Sequence, residues 1–135
     1  LNTAVDGIIT IGETGIIETA NPAVQRMFGY REDELIGRKL EMLMPPPYNR
    51  EHEAYLARYL KTGNRKIIGI GRDVEGLRKD GTIFPLYLAV SETRLDGKRI
   101  FTGILRDITR RTQNEAKLAR QARKLQTRLK LDYQL

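Results

Sequence analysis

The chain has 135 residues, enough for one domain with a full core plus an appendage. It contains no cysteine, which excludes disulfides, thiolate metal sites and any photochemistry that needs a cysteinyl–flavin adduct. The net charge of +7 is unevenly placed: residues 1–109 carry 16 Lys/Arg against 15 Asp/Glu, and residues 110–135 carry 8 against 2, so the excess reads as a solvated helix rather than a nucleic-acid surface.

No stretch approaches about eighteen consecutive apolar residues, so no membrane span is expected. No basic segment leads into an apolar run, so no signal peptide is expected either. A cysteine-free composition fits a reducing compartment, here the cytoplasm.

The first element, Val5–Ile11, is short and β-branched. Gly12-Glu13-Thr14-Gly15 turns the chain into a second strand, Ile16–Ala20, and the pair reads as a hairpin. Asn21-Pro22 opens a helix, with Asn as N-cap and Pro at the first helical position. Ala23, Val24, Met27 and Phe28 keep helical spacing up to Gly29, where the helix stops. Asp33-Glu34-Leu35-Ile36-Gly37 is one further helical turn. Leu40, Leu43 and Met44 lead into Pro45-Pro46-Pro47, which cannot continue a helix but can precede one. From Arg50 to Leu60 the propensities are helical, and Gly63 ends that element.

Three strand-like runs follow. In the first, Lys66–Val74, Gly69 and Gly71 point to a bulge or a close backbone approach. Arg78-Lys79-Asp80-Gly81-Thr82 forms a hairpin turn. Ile83–Glu92 places Phe84, Leu86, Leu88 and Val90 on one face and Tyr87 on the other. Leu95-Asp96-Gly97-Lys98 turns again into Arg99–Ile108. The order ββαααβββ makes an α+β fold: one five-stranded antiparallel sheet with helices on one face. From Arg110 the chain is a long polar helix without Gly or Pro. Leu118, Ala122, Leu125 and Leu129 form an apolar seam of the coiled-coil kind. That seam serves either a dimer stalk or a helix folded back on its own sheet.

His52 is the only histidine. On its helix it shares a face with Tyr55, Leu56 and Tyr59, at spacings of three, four and seven, and this apolar face points inward. An inward imidazole among apolar and aromatic neighbours suits a metal ligand, or a core-edge histidine satisfied by backbone. Arg72 is either a surface residue or an inward cation awaiting an anion, since burying it unpaired is costly. Alternation along a regular strand sets it on the side of Ile68 and Ile70. Asp80-Gly81 and Asp96-Gly97 are turn chemistry. Gly69-Ile70-Gly71 is not a phosphate loop, for no helix follows it. No nucleophile–base set can be built, so the segment itself is not expected to be an enzyme.

Several motifs resemble those of the PAS family. They are Asn21-Pro22-Ala23, Phe28-Gly29-Tyr30, Leu35-Ile36-Gly37-Arg38, Arg78-Lys79-Asp80-Gly81-Thr82 with Phe84-Pro85, and Arg106-Asp107-Ile108-Thr109. The resemblance implies a PAS sensory domain over residues 1–109 and a coiled-coil signalling helix over 110–135. Leu43-Met44-Pro45, His52, Tyr55, Arg58-Tyr59 and Ile67-Ile68-Gly69-Ile70-Gly71-Arg72 further resemble the haem-binding PAS domains of the FixL oxygen sensors. That narrower resemblance implies haem b with His52 as proximal iron ligand and Arg72 on the distal side. It places Arg58 at a propionate and Ile67, Leu88 and Val90 along the gas pocket, with Tyr55 beside the haem. Lys66 departs from a family histidine near a propionate, yet a lysine can pair with a carboxylate.

The function implied is gas sensing, with O2 or another diatomic as signal. The change would be relayed through the C-terminal helix to an output module such as a histidine kinase or a cyclic-dinucleotide enzyme. A homodimer through that helix and the PAS surface is the expected assembly. A ligand-free PAS module for dimerisation and relay, and a flavin-binding one, remain open on the sequence.

Overall fold

The computed structural model describes residues 6–62 and 71–134. Among the described residues are ten elements: β1 (Gly7–Ile11), β2 (Ile17–Ala20), α1 (Pro22–Phe28), α2 (Glu32–Leu35), a 3-10 helix (Leu40–Leu43), α3 (Tyr48–Thr62), β3 (Arg72–Leu77), β4 (Ile83–Leu95), β5 (Lys98–Asp107) and α4 (Thr109–Gln134). The five strands form one sheet in the order β2-β1-β5-β4-β3, every pairing antiparallel. The first strand therefore lies beside the last, and the helices between β2 and β3 cover one face.

Local chemistry explains the boundaries. Asn21 Oδ1 accepts from Val24 N at 3.1 Å and from Ile8 N at 3.0 Å, so one side chain caps α1 and fastens it to β1. Gly29 closes α1 at φ 82°, a left-handed conformation that disfavours a Cβ. The β4–β5 hairpin turns on Asp96 and Gly97, both at positive φ, as a two-residue Asp-Gly turn requires. Two strands run further than the sequence led one to expect. β3 continues past Val74 to Leu77, because the Arg78–Thr82 turn begins only there, and β4 continues past Glu92 to Leu95 for the same reason.

The core lies between helices and sheet. Phe28 of α1 meets Phe84 of β4 edge-on at 5.3 Å, and Tyr59 of α3 meets Phe101 of β5 at 5.8 Å. Ile17, Val24 and Leu35 are buried with them. α4 differs. Ile108 just before it is buried, but Leu118, Leu125 and Leu129 are 64%, 58% and 49% exposed. The helix does not fold back on its own sheet, and its apolar seam faces outward. No helix among the described residues is long and apolar enough to cross a membrane.

Candidate functional site

Strand alternation sends every second side chain to the covered face. The register lines these up in rows across the sheet. Gly7, Leu105, Leu88 and Arg72 make one row; Ile9, Gly103 and Val90 make the next; Ile11, Phe101 and Glu92 make a third. Gly103 carries no side chain in the middle row, and Ile9 and Leu88 close in around it. A Cβ there would lie 3.1 Å from Ile9 Cγ2 and 3.6 Å from Leu88 Cδ1. Above this floor is a cavity of about 600 Å³, within the range of small-molecule and cofactor sites. Its floor is formed by Ile9, Ile11, Leu86, Leu88, Val90, Phe101, Gly103 and Leu105, and its other wall by Leu40, Leu43, Met44, Tyr48, His52, Tyr55, Leu56 and Tyr59.

The helical wall carries the polar chemistry. α3 starts directly behind the proline run, with Glu51 N donating to Pro47 O. Its inward face is the expected one: Leu56 and Tyr59 are buried, and His52 and Tyr55 line the cavity beside them. Tyr59 Oη donates to Glu92 Oε1 at 2.9 Å, so the phenol joins helix to sheet across one end of the cavity. His52 Nδ1 lies 3.2 Å from Glu41 Oε1. Both side chains are largely withdrawn from water, at 16% and 15% exposure. Glu41 Oε2 is fully buried without a hydrogen-bond partner among the described residues.

The residues singled out in the sequence fall into three groups. His52, Tyr55, Arg72, Leu88 and Val90 come together around the cavity. Arg58 sits on the exposed side of α3 and does not line it. Lys66 and Ile67, like Ile68, Gly69 and Ile70, lie outside the described residues. Arg72 shares its row with Leu88, reaching the rim from the edge strand, and has no ion-pair partner among the described residues. Gly71, just before it, makes the close approach expected of this glycine pair: a Cβ there would collide with the Tyr87 hydroxyl. Glu41 was not foreseen. Its distance in sequence from His52 left no periodic signal to join them, and only the 3-10 helix brings them together.

A second polar group stands where the sheet hands over to α4. Arg78 Nη2 donates to Asp107 Oδ2 at 3.0 Å, its other terminal nitrogen donates to Met27 O, and its guanidinium lies 3.9 Å over the Phe84 ring. Asp107 Oδ1 accepts from Thr109 N at 2.9 Å and from the Thr109 hydroxyl, an Asx-type turn that leads into α4. Partial burial pushes the Asp107 carboxyl up. The bonds from Thr109 and Arg78 outweigh it and hold the group below the ordinary aspartate range. Arg111 of α4 reaches Asp73 of β3 at 3.1 Å, one residue from Arg72.

A model of the PAS domain family matches residues 5–110, and the chain belongs to that family. Over 118 residues it is 43% identical to the sensor protein FixL of Bradyrhizobium diazoefficiens, covering 87% of this chain and 23% of FixL. It is 28% identical over 101 residues to the oxygen sensor protein DosP of Escherichia coli, covering 75% of this chain and 13% of DosP. Among solved structures, a PAS domain from Desulfitobacterium hafniense superposes with a TM-score of 0.63 at 21% identity, covering 78% of this chain and 94% of that one. The chain spans less than a quarter of the length of either of these two sensor proteins.

Proposed function

We propose that the chain is a haem-based gas-sensing PAS domain in which His52 holds haem b. The observation that carries this reading is a single imidazole on the wall of an apolar cavity of about 600 Å³, with Nδ1 engaged by Glu41 and Nε2 without a hydrogen-bond partner among the described residues. The donor set suits the group. A neutral imidazole is the usual axial ligand of haem iron, and the lining is apolar where a porphyrin ring would lie. Arg72 supplies a rim cation for a propionate or for a bound diatomic. Two relatives, the sensor protein FixL and the oxygen sensor protein DosP, add weight to it.

Haem, when bound, supplies an iron with a coordination position open to O2 or another diatomic. Everything else belongs to the protein. His52 orients the ring from the helical wall. Leu88 and Val90 on the sheet wall, with Ile67, would exclude water from the gas side. Arg58, on the outer side of α3, would meet a propionate only where that group projects toward solvent, and Lys66 would serve in the same way.

The relay would run from Arg72 through its neighbour Asp73 to Arg111, and from β5 through Asp107 to the start of α4. Residues 1–109 would then be the sensor and 110–135 the linker helix. The exposed seam of Leu118, Leu125 and Leu129 would pair with a second copy to form a cytoplasmic dimer, and an output module would lie beyond it. The ligand-free alternative expects Ile, Leu and Tyr side chains to fill the pocket, and the cavity weighs against it. The test is to express the domain with haem supplied and record its visible spectrum under N2, O2 and CO. A Soret band that moves with the gas supports the proposal. A colourless protein, or a band unaffected by His52→Ala, refutes it.

A further inference from the structure

Glu41 occupies a position that packing alone does not explain. Its neighbours Leu40, Met42 and Leu43 are apolar and pack into the core, Leu43 fully buried. The turn between β1 and β2 closes over Glu41: a Cβ on Gly15 would lie 3.7 Å from Glu41 Oε1 and 3.4 Å from Leu56 Cδ2. One carboxylate oxygen is thus spent on His52 and the other is buried without a hydrogen-bond partner among the described residues, an arrangement that costs free energy.

An imidazole has two ring nitrogens, and in the neutral ring only one carries hydrogen. A carboxylate at 3.2 Å from Nδ1 accepts a hydrogen bond from Nδ1–H and so favours that tautomer, which leaves the lone pair on Nε2. Nε2 is the nitrogen without a hydrogen-bond partner among the described residues, in a side chain that lines the cavity. Without the carboxylate the ring is free to take the other tautomer, in which Nε2 carries hydrogen and cannot ligate a metal.

We infer that Glu41 is a positioning residue for His52: it locks the Nδ1–H tautomer, presents the Nε2 lone pair to the cavity, and enriches the imidazole with electron density. The lock is a property of the protein alone. The electronic effect rests on the haem reading above, since hydrogen-bonded carboxylates behind metal-bound histidines raise ligand basicity. A more basic imidazole with a carboxylate behind it favours the more highly charged iron.

The chain's single histidine makes the test clean. Ring-15N-labelled apo protein at pH 9 gives one pair of ring-nitrogen resonances, and two-bond proton–nitrogen couplings identify the tautomer. The wild type should show Nδ1–H. Glu41→Met, apolar and of similar length, should move the ring toward Nε2–H. Glu41→Gln should retain Nδ1–H, because its amide oxygen can still accept. In the haem-loaded protein both variants should raise the midpoint potential, by about 59 mV for each tenfold change in ferric-over-ferrous preference, with one to two such steps the usual reach of this kind of partner. Glu41→Met should also lower the iron–histidine stretching frequency. An Nε2–H wild type, or a tautomer indifferent to Glu41→Met, overturns the lock. A potential unmoved in both variants overturns the electronic effect. The lock observed in a protein that never binds haem supports the positioning role and removes only the haem reading.

Discussion

The two walls of the cavity are built on opposite principles. The sheet wall is regular: three rows of side chains, set by ladder register, all apolar except at the rim. The helical wall is assembled from a 3-10 helix, a proline run with a cis Pro46–Pro47 bond and the first turns of α3, and it carries Tyr48, His52 and Tyr55, with Glu41 bonded to His52. The contrast teaches a division of labour. The sheet decides what shape fits, because its spacing cannot shift by one residue without turning every side chain over. The irregular wall decides what is held, because it can place a few polar atoms individually.

Breaking the polar wall should have the largest effect. Removing the His52 imidazole leaves no histidine in the chain, so cofactor retention should be lost while circular dichroism stays native. Filling the sheet wall comes next. Gly103→Leu adds a side chain between Ile9 and Leu88, and cofactor binding should fall. Its Cβ would already press on Ile9 Cγ2 at 3.1 Å, so the variant should also lose about 1–3 kcal/mol of stability from overpacking. Urea unfolding beside cofactor titration measures the two effects.

Arg72, with Asp73 and Glu75 of the same strand, brings charge to the rim of the sheet wall, and it sharpens the comparison. Arg72→Ala should leave the fold intact and speed dissociation of an anionic or polar ligand roughly ten- to a hundredfold, the reach of one charge-assisted hydrogen bond of about 1.5–3 kcal/mol. Stopped-flow release kinetics measure it.

The smallest effect lies outside both walls, at the junction with α4. Asp107 is held below its ordinary value by Thr109 and Arg78, and Asp6 by its hydrogen bonds from Arg106. Carboxyls depressed in the folded state contribute stability above the unfolded value of about 4, and lose it as pH falls through the folded value. Thermal stability should therefore be level near neutrality and decline below about pH 4. Asp107→Asn should flatten part of that decline, because the amide does not titrate, and lower stability at pH 7 by weakening the bond from Arg78.

Much of this was legible in the sequence, for identifiable reasons. Asn21-Pro22, Gly29 and Asp96-Gly97 are residue types with few backbone options, so they mark helix ends and hairpins wherever they occur. Phe84, Leu86, Leu88 and Val90 announce a covered strand face by alternation, and His52, Tyr55, Leu56 and Tyr59 announce an inward helix face by spacing. Glu41 was hidden because a 3-10 helix of four residues has no usable period, and its meeting with His52 depends on how α3 docks. Arg58 is placed by the helix itself. Its neighbour Tyr59 is buried and a helix turns by about 100° per residue, so Arg58 emerges on the outer side, away from the cavity lining. The exposed leucines of α4 display the seam that the sequence spelled out, but a seam needs a partner and a single chain carries none.

The central claim is that His52 is the group that holds the cofactor, and ligand replacement tests it most directly. His52→Gly should bind no haem alone and regain a Soret band when free imidazole is supplied, with an axial ligand now exchangeable for added ligands. A His52→Gly protein that binds haem as the wild type does, or one that imidazole fails to restore while its fold remains native, would contradict the account.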